Sequence, residues 1–136
     1  MAFILVMEDN AALRRILVKT LTDDGHEVVE SENGFAAYNE QLIQSVDLMI
    51  TDLVMPRVDG LDAINTARST RKDLKVIAMS GGGPDFTQDY LQVAIAFGAS
   101  NIIHKPFEPD AMLEVVNKTL DAQPRYCCPQ PILASA

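Results

Sequence analysis

Short runs rich in apolar residues recur five times along the chain, and each is followed by a stretch in which apolar residues return at helical spacing. The runs lie at residues 3–7, 27–31, 48–52, 75–79 and 101–104. The run at 3–7 is continuously apolar, and the runs at 48–52 and 75–79 contain three or four consecutive apolar residues, which is typical of strands buried on both faces. Strict alternation of strands and helices predicts an α/β fold, in which right-handed crossovers place helices on both faces of a parallel sheet.

Five helices are predicted to follow the five strands. Asn10 is suited to cap the first helix, and Gly25 is suited to end it. The apolar face of this helix consists of Leu13, Ile16, Leu17, Thr20 and Leu21. The other helices are predicted from Asn33-Gly34 to residue 43, after a cap at Asp59, over residues 86–97, and over residues 109–120 with Pro109 in the first turn.

Length and charge narrow the functions open to such a fold. The chain has 136 residues, and we expect one domain at residues 1–121 followed by a loose tail at 122–136. Its net charge of −8 argues against a nucleic acid partner, because binding phosphates requires clustered basic residues. The longest apolar run, residues 1–7, is too short to span a membrane and lacks the features of a signal peptide. A cytoplasmic protein without a membrane partner is therefore expected.

The cysteines and histidines carry no predicted function. Cys127 and Cys128 are adjacent in the tail, form no disulfide framework and are interpreted as free thiols. His26 and His104 are distant from each other in sequence and are interpreted as structural residues.

Charged and hydroxyl side chains stand at the ends of four predicted strands. The first strand is followed by Glu8-Asp9, the third ends at Asp52, the fourth leads into Ser80, and the fifth leads into Lys105. Because the carboxyl ends of parallel strands lie at one edge of a sheet, where ligands bind in open α/β folds, we expect these side chains to converge.

The expected cluster has a definite chemistry. Carboxylates in close proximity repel one another, and a hard divalent cation with oxygen ligands relieves that repulsion, which favours Mg²⁺. Asp52 directly follows a buried strand and can act as a nucleophile that forms an acyl phosphate. Mg²⁺ and Lys105 would then stabilise the charge on the transferred phosphoryl group.

In order along the chain, these residues resemble the receiver domain of bacterial response regulators. The matching set is Glu8-Asp9, Asp52-x-x-Met55-Pro56, Asp59-Gly60, Ser80, Gly98-Ala99 and Lys105-Pro106-Phe107. The resemblance covers about residues 2–121. It implies a flavodoxin-like, doubly wound sheet in the order 2-1-3-4-5, and a stand-alone receiver of the kind that acts in chemotaxis.

The resemblance also implies a role for each site residue. Asp52 would accept a phosphoryl group from a histidine kinase or a histidine phosphotransfer protein, and would control a downstream target of unknown identity. Mg²⁺ would be bound directly by Asp9, Asp52 and the backbone carbonyl of Val54, and through water by Glu8. Ser80 and Lys105 would contact the phosphoryl group, and the Lys105-Pro106 peptide bond would be cis.

Three departures from the family pattern are visible. The first acid is Glu8 where the family usually has Asp, and it is one methylene longer. The aromatic residue that usually precedes the lysine by three positions is Ile102 here. The chain ends soon after its fifth helix, so no attached output domain is expected.

Other functions fit the sequence less well. A phosphatase of the haloacid dehalogenase type would need an acid two residues after the nucleophile, where Val54 stands. A flavodoxin-like cofactor binder would place a phosphate against Glu8-Asp9, which would repel it. A pseudo-receiver that docks to partners without phosphorylation is the main alternative. We predict a phosphorylation-controlled switch or phosphorelay intermediate. It would catalyse only its own phosphorylation and dephosphorylation, and would not act as an enzyme on an external substrate.

Overall fold

The computed structural model describes residues 2–53, 60–80 and 94–121, and the fold is described for these residues. Its strands are β1 (Phe3–Met7), β2 (Glu27–Ser31), β3 (Leu48–Asp52), β4 (Lys75–Ser80) and β5 (Asn101–His104). They form one parallel sheet in the order β2-β1-β3-β4-β5. The predicted class and strand order are confirmed, and β4 extends one residue beyond the predicted strand to include Ser80.

The helices connect these strands in the predicted alternation. They are α1 (Ala11–Asp23), a 3-10 helix (Gly34–Tyr38) followed by α2 (Glu40–Ser45), α3 (Gly60–Thr70), α4 (residues 94–96) and α5 (Pro109–Asp121). Outside the described residues lie positions 86–93 of the helix predicted at 86–97, Asp59 and the predicted tail, whereas residue 97 is in a turn. No helix within the described ranges is both long and apolar enough to cross a membrane.

The predicted ends of α1 are confirmed. The side chain of Asn10 accepts a hydrogen bond from the Leu13 N–H at 3.0 Å, which caps the first turn. At the other end Gly25 has a φ of 94°, and the N–H groups of Gly25 and His26 bond back to the last helical carbonyls. One residue of the predicted apolar face was misplaced: Ile16 is 50% exposed, whereas Leu17 is buried.

The region predicted as one helix after Asn33-Gly34 consists of two shorter pieces. Asn33 caps the 3-10 helix by accepting from the Phe35 N–H, and Asn39 caps α2 by accepting from the Leu42 N–H. Asn39 itself has extended backbone angles, with φ −84° and ψ 99°. The asparagine side chain therefore starts a new helix at this position and interrupts the one before it.

Both faces of the sheet are buried, which explains the continuous apolar runs. Side chains alternate between the two faces along each strand. On one face, β3 and β4 residues such as Met49 and Ala78 pack with Ala63 and Ile64 of α3. On the other face, the core consists mainly of strand residues with α1 and α5 residues, namely Ile4, Val6, Leu17, Leu21, Leu48, Ile50, Ile77, Met79, Ile103, Met112 and Val116.

Gly60 begins α3 in direct contact with the end of β3. Its N–H donates to the Leu53 carbonyl at 2.9 Å. A Cβ atom built on Gly60 would lie 2.1 Å from the carbonyl oxygen of Asp52. Because that distance is far inside van der Waals contact, any side chain at position 60 has to displace the backbone that carries Asp52.

This contact makes Gly60→Ala a sensitive substitution. We expect it to lower the free energy of unfolding by about 3 kcal/mol, as overpacking against backbone does. Urea denaturation measures this change. The matched control is Gly25→Ala, where a Cβ meets nothing within 4 Å but φ is positive, so a loss of only about 1 kcal/mol is expected. A smaller loss for Gly60→Ala than for Gly25→Ala would contradict the prediction.

Candidate functional site

An ammonium group joins two carboxylates at the carboxyl edge of the sheet. Lys105 Nζ lies 2.7 Å from Glu8 Oε1 and 2.9 Å from Asp52 Oδ2. Glu8 directly follows β1, and Asp52 is the last residue of the neighbouring strand β3. Lys105 directly follows β5. The long lysine side chain therefore reaches past β4 to the two acids, and the predicted convergence of these three residues is confirmed.

Local hydrogen bonds hold Glu8 in place. Its Oε2 accepts from the Asn10 N–H at 3.0 Å, and its own N–H donates to the Ser31 carbonyl of β2. Arg14 of α1 donates to the Glu8 carbonyl at 2.8 Å and pairs with Glu30. Both carboxylate oxygens of Glu8 are thus occupied, one by Lys105 and one by the backbone.

Asp9 is the exposed acid of the site. Carboxylate oxygens of Glu8, Asp9 and Asp52 all lie within 4.8 Å of one another, although Glu8 and Asp52 are buried. Within the described part of the chain, Lys105 is the cation paired with this cluster, so three carboxylates face one ammonium group. Hard oxygen donors in this arrangement suit a divalent cation such as Mg²⁺. The site can therefore hold a metal ion.

The buried charges shift the pKa values of two groups. Burial raises the pKa of Glu8, and the charge of Asp52 adds to this effect, while hydrogen bonds from Lys105 and Asn10 only partly offset it. For Lys105, burial favours the neutral amine, but the two carboxylates outweigh it and raise the pKa of the ammonium group. Lys105 therefore stays charged at neutral pH.

Ser80 lies at this edge, but its hydroxyl is turned to a different partner. The residue is 2% exposed, and its Oγ lies 3.2 Å from Nδ1 of His104 on the neighbouring strand β5. The Ser80 carbonyl also accepts from the Lys105 N–H at 2.8 Å. Interpreting His104 as merely structural missed this contact. Ser80 and His104 are direct partners in the pairing of β4 with β5, which is a feature of the sheet and not of the sequence pattern.

The remaining predicted features have mixed outcomes. The Lys105-Pro106 peptide bond is cis, as predicted. Ile102 is half-buried on β5, at the position where an aromatic residue is usual. His26 is buried and accepts from the Ala2 N–H at 3.0 Å, in keeping with a structural role. The predicted ligand Val54 lies outside the described residues.

The fold and this site define a doubly wound α/β domain with an acidic pocket and one lysine at the carboxyl edge of its sheet. The sequence profile of the response regulator receiver domain matches residues 4–117. The chain therefore belongs to the family of response regulator receiver domains, which are phosphorylation-controlled switches.

Relatives of similar length support the same conclusion. The chemotaxis protein CheY of Bacillus subtilis is 36% identical over 119 residues, which is 87% of this chain and 97% of the relative. The chemotaxis protein CheY of Thermotoga maritima is 33% identical over 85% of this chain and 94% of its own length. The chain thus resembles stand-alone receivers over nearly their whole length.

Solved structures agree with this assignment. The chemotaxis protein CheY4 of Vibrio cholerae has a TM-score of 0.78 and 26% identity, with 88% of this chain and 98% of that chain covered. NtrX of Brucella abortus has a TM-score of 0.79 at 28% identity, and this chain spans about a quarter of it, namely 27%. The same domain therefore occurs both alone and as one part of longer proteins.

Lys105 is predicted to stabilise the fold at neutral pH. Its raised pKa means that its contribution is complete at pH 7 and is lost only above its ordinary value of 10.5. Without Mg²⁺, we expect Lys105→Met to lower the free energy of unfolding by about 3 kcal/mol, because two buried carboxylates lose their partner.

Urea denaturation with a chelator present, at pH 7 and at pH 5, tests this expectation. Removing the cation takes away an interaction that lowers the pKa of Glu8, so this pKa rises further and the loss should be smaller at pH 5, where Glu8 protonates more readily. Lys19→Met is the control, since Lys19 pairs with Asp23 at an exposed site and should contribute less than about 0.5 kcal/mol. A loss that does not depend on pH would contradict the explanation.

Proposed function

We propose that Asp52 is the phosphoacceptor of this receiver, and that a histidine kinase or a histidine phosphotransfer protein is its donor. The observation that carries the proposal is the carboxylate of Asp52 at the end of β3, 2.9 Å from Lys105 and grouped with Glu8 and Asp9. A carboxylate in this position is oriented, partly desolvated and next to a permanent cation. These are the conditions that favour a carboxylate nucleophile.

The proposed reaction transfers one phosphoryl group. A carboxylate oxygen of Asp52 attacks the phosphorus of a phosphohistidine, so a P–O bond forms and the P–N bond breaks. The leaving imidazole nitrogen keeps the bond's electron pair and takes up a proton from solvent. Lys105 stabilises the negative charge of the phosphoryl oxygens near Asp52, because it already lies within hydrogen-bond distance of that carboxylate.

Mg²⁺ is part of the proposal. When bound, it would neutralise charge shared between the carboxylates and the phosphoryl oxygens. Asp9 and Asp52 are the proposed direct ligands, together with the backbone carbonyl of Val54. Glu8 is proposed to act through water, because both of its carboxylate oxygens already accept hydrogen bonds and direct ligation would break one of them.

A role as a docking module without phosphorylation remains the alternative. It would require that the acids serve only to shape a surface. The buried ion pair of Lys105 with two acids is costly to desolvate, and packing alone does not need it.

We also propose that the protein acts in the cytoplasm, as a switch or phosphorelay intermediate that acts on no external substrate.

The acceptor assignment predicts the site of modification. Incubation with a small phosphodonor and Mg²⁺ should add one phosphoryl group to the parent protein, as measured by intact mass. Asp52→Asn should abolish the gain, because the amide is not a nucleophile of comparable strength. Asp47→Asn is the control at the opposite edge of the sheet and should be phosphorylated like the parent. A gain that persists in Asp52→Asn would contradict the assignment.

The metal assignment predicts a stability change. Binding to the folded state alone stabilises it by about 1.4 kcal/mol at a Mg²⁺ concentration tenfold above Kd, which corresponds to a rise of about 5 °C in Tm. Asp52→Ala should lose most of this rise in a thermal unfolding experiment. Asp23→Ala removes an exposed carboxylate with the same charge, and this variant should retain the rise in Tm on addition of Mg²⁺. Equal responses of the two variants would argue against a metal site at Asp52.

A further inference from the structure

Ser80 stands between the acceptor strand and the strand that carries His104. The sheet order places β4 between β3, which ends at Asp52, and β5, which ends at His104. Ser80 is paired directly with His104 in the β4–β5 register, and the preceding residue Met79 is paired with Asp52 in the β3–β4 register. The serine hydroxyl therefore has potential partners on both sides.

In this structure the hydroxyl is turned towards β5. The distance from Ser80 Oγ to His104 Nδ1 is 3.2 Å, which is within hydrogen-bond range. A phosphoryl group on Asp52 would lie on the β3 side of Ser80. Because side chains occupy separate staggered rotamers, contact with such a group requires Oγ to leave the well in which it contacts His104.

We propose that His104 is a positioning residue that holds Ser80 in its resting rotamer and so lowers the affinity of the site for a phosphoryl group. The inference rests on the proposed role of Asp52 as acceptor. It does not depend on the histidine tautomer, since the contact is lost on rotation whichever atom carries the proton. His104 thus acts through Ser80 and touches none of the reacting atoms.

The chemistry of position 104 is what makes this restraint possible. An aliphatic residue there could pack beside Ser80 but could not hydrogen-bond its hydroxyl. Ser80 is 2% exposed, so solvent contributes little to the hydrogen bonding of its Oγ. Within the described residues, His104 supplies a polar partner for this atom. A hydrogen bond of ordinary net strength corresponds to about a 3- to 10-fold change in an equilibrium constant.

The test is a double-mutant cycle with beryllofluoride, a mimic of the phosphoryl group that binds reversibly to a carboxylate. Beryllofluoride is titrated with Mg²⁺ in excess, and amide NMR shifts give the half-saturating concentration. His104→Val should lower this concentration about 3- to 10-fold, because Ser80 is released. In a Ser80→Ala background, the same substitution should leave it unchanged. His104→Asn, whose amide group can take the place of Nδ1, should behave like the parent.

The possible results distinguish a failure of the role of His104 from a failure of the proposed acceptor function of Asp52. An unchanged or higher half-saturating concentration in His104→Val would overturn the role of His104, as would an equal shift in the presence and absence of the Ser80 hydroxyl. If the parent protein binds no beryllofluoride, while its thermal unfolding remains cooperative, the proposed acceptor function itself fails. Thermal unfolding of each variant establishes that it is folded, so that a change in beryllofluoride affinity is not mistaken for a loss of structure.

Discussion

Glu8 and Asp52 each directly follow a member of the last residue pair between two neighbouring parallel strands, so the register of the sheet brings the two acids close together. Met7 pairs with Thr51, and the next residue of each strand is an acid. Both acids are buried, and burial of an unpaired charge would cost several kcal/mol. The ammonium group of Lys105, within 2.9 Å of both, is the counter-charge that stabilises the two buried acids at this edge of the sheet. The proposed phosphoryl transfer to Asp52 depends on the same ammonium group.

Among the described residues, this site carries more acidic than basic side chains, which favours the binding of a further cation. Asp9 adds a third carboxylate that is exposed to solvent, while Lys105 is already shared between Glu8 and Asp52. A divalent cation that used Asp9 and Asp52 as ligands would add positive charge to this cluster while Lys105 kept its pairs with Glu8 and Asp52. The backbone supports this arrangement through Gly60, which packs against the Asp52 carbonyl where no other residue fits.

The sheet and most of the site could be predicted because they follow from rules that act along the sequence. Apolar runs identify strands, and the strand-end rule brings Glu8, Asp52 and Lys105 to one edge. Features set by packing between elements could not be predicted in this way. Ile16 is exposed because the orientation of α1 on the sheet decides which of its apolar residues is buried. The partner of Ser80 depends on a side-chain rotamer between two paired strands, which no pattern in the sequence reports.

The alternation of side chains along the strands also places Asp52 and Ser80 on opposite faces of the sheet. Ile50 and Ile103 face the α1–α5 side of the sheet, and Asp52 and Lys105 continue that alternation by two residues. Ala78 faces the α3 side, so Ser80 belongs to the opposite face. A phosphoryl group on the proposed acceptor Asp52 would therefore lie on one face, whereas the contact between Ser80 and His104 lies on the other. Because serine is short and lies at the strand end, rotation about its Cα–Cβ bond can turn its hydroxyl from the β5 side towards the β3 side. Under the proposed roles of Asp52 and His104, a phosphoryl group on Asp52 would in this way change the hydrogen bonding of Ser80 on the opposite face.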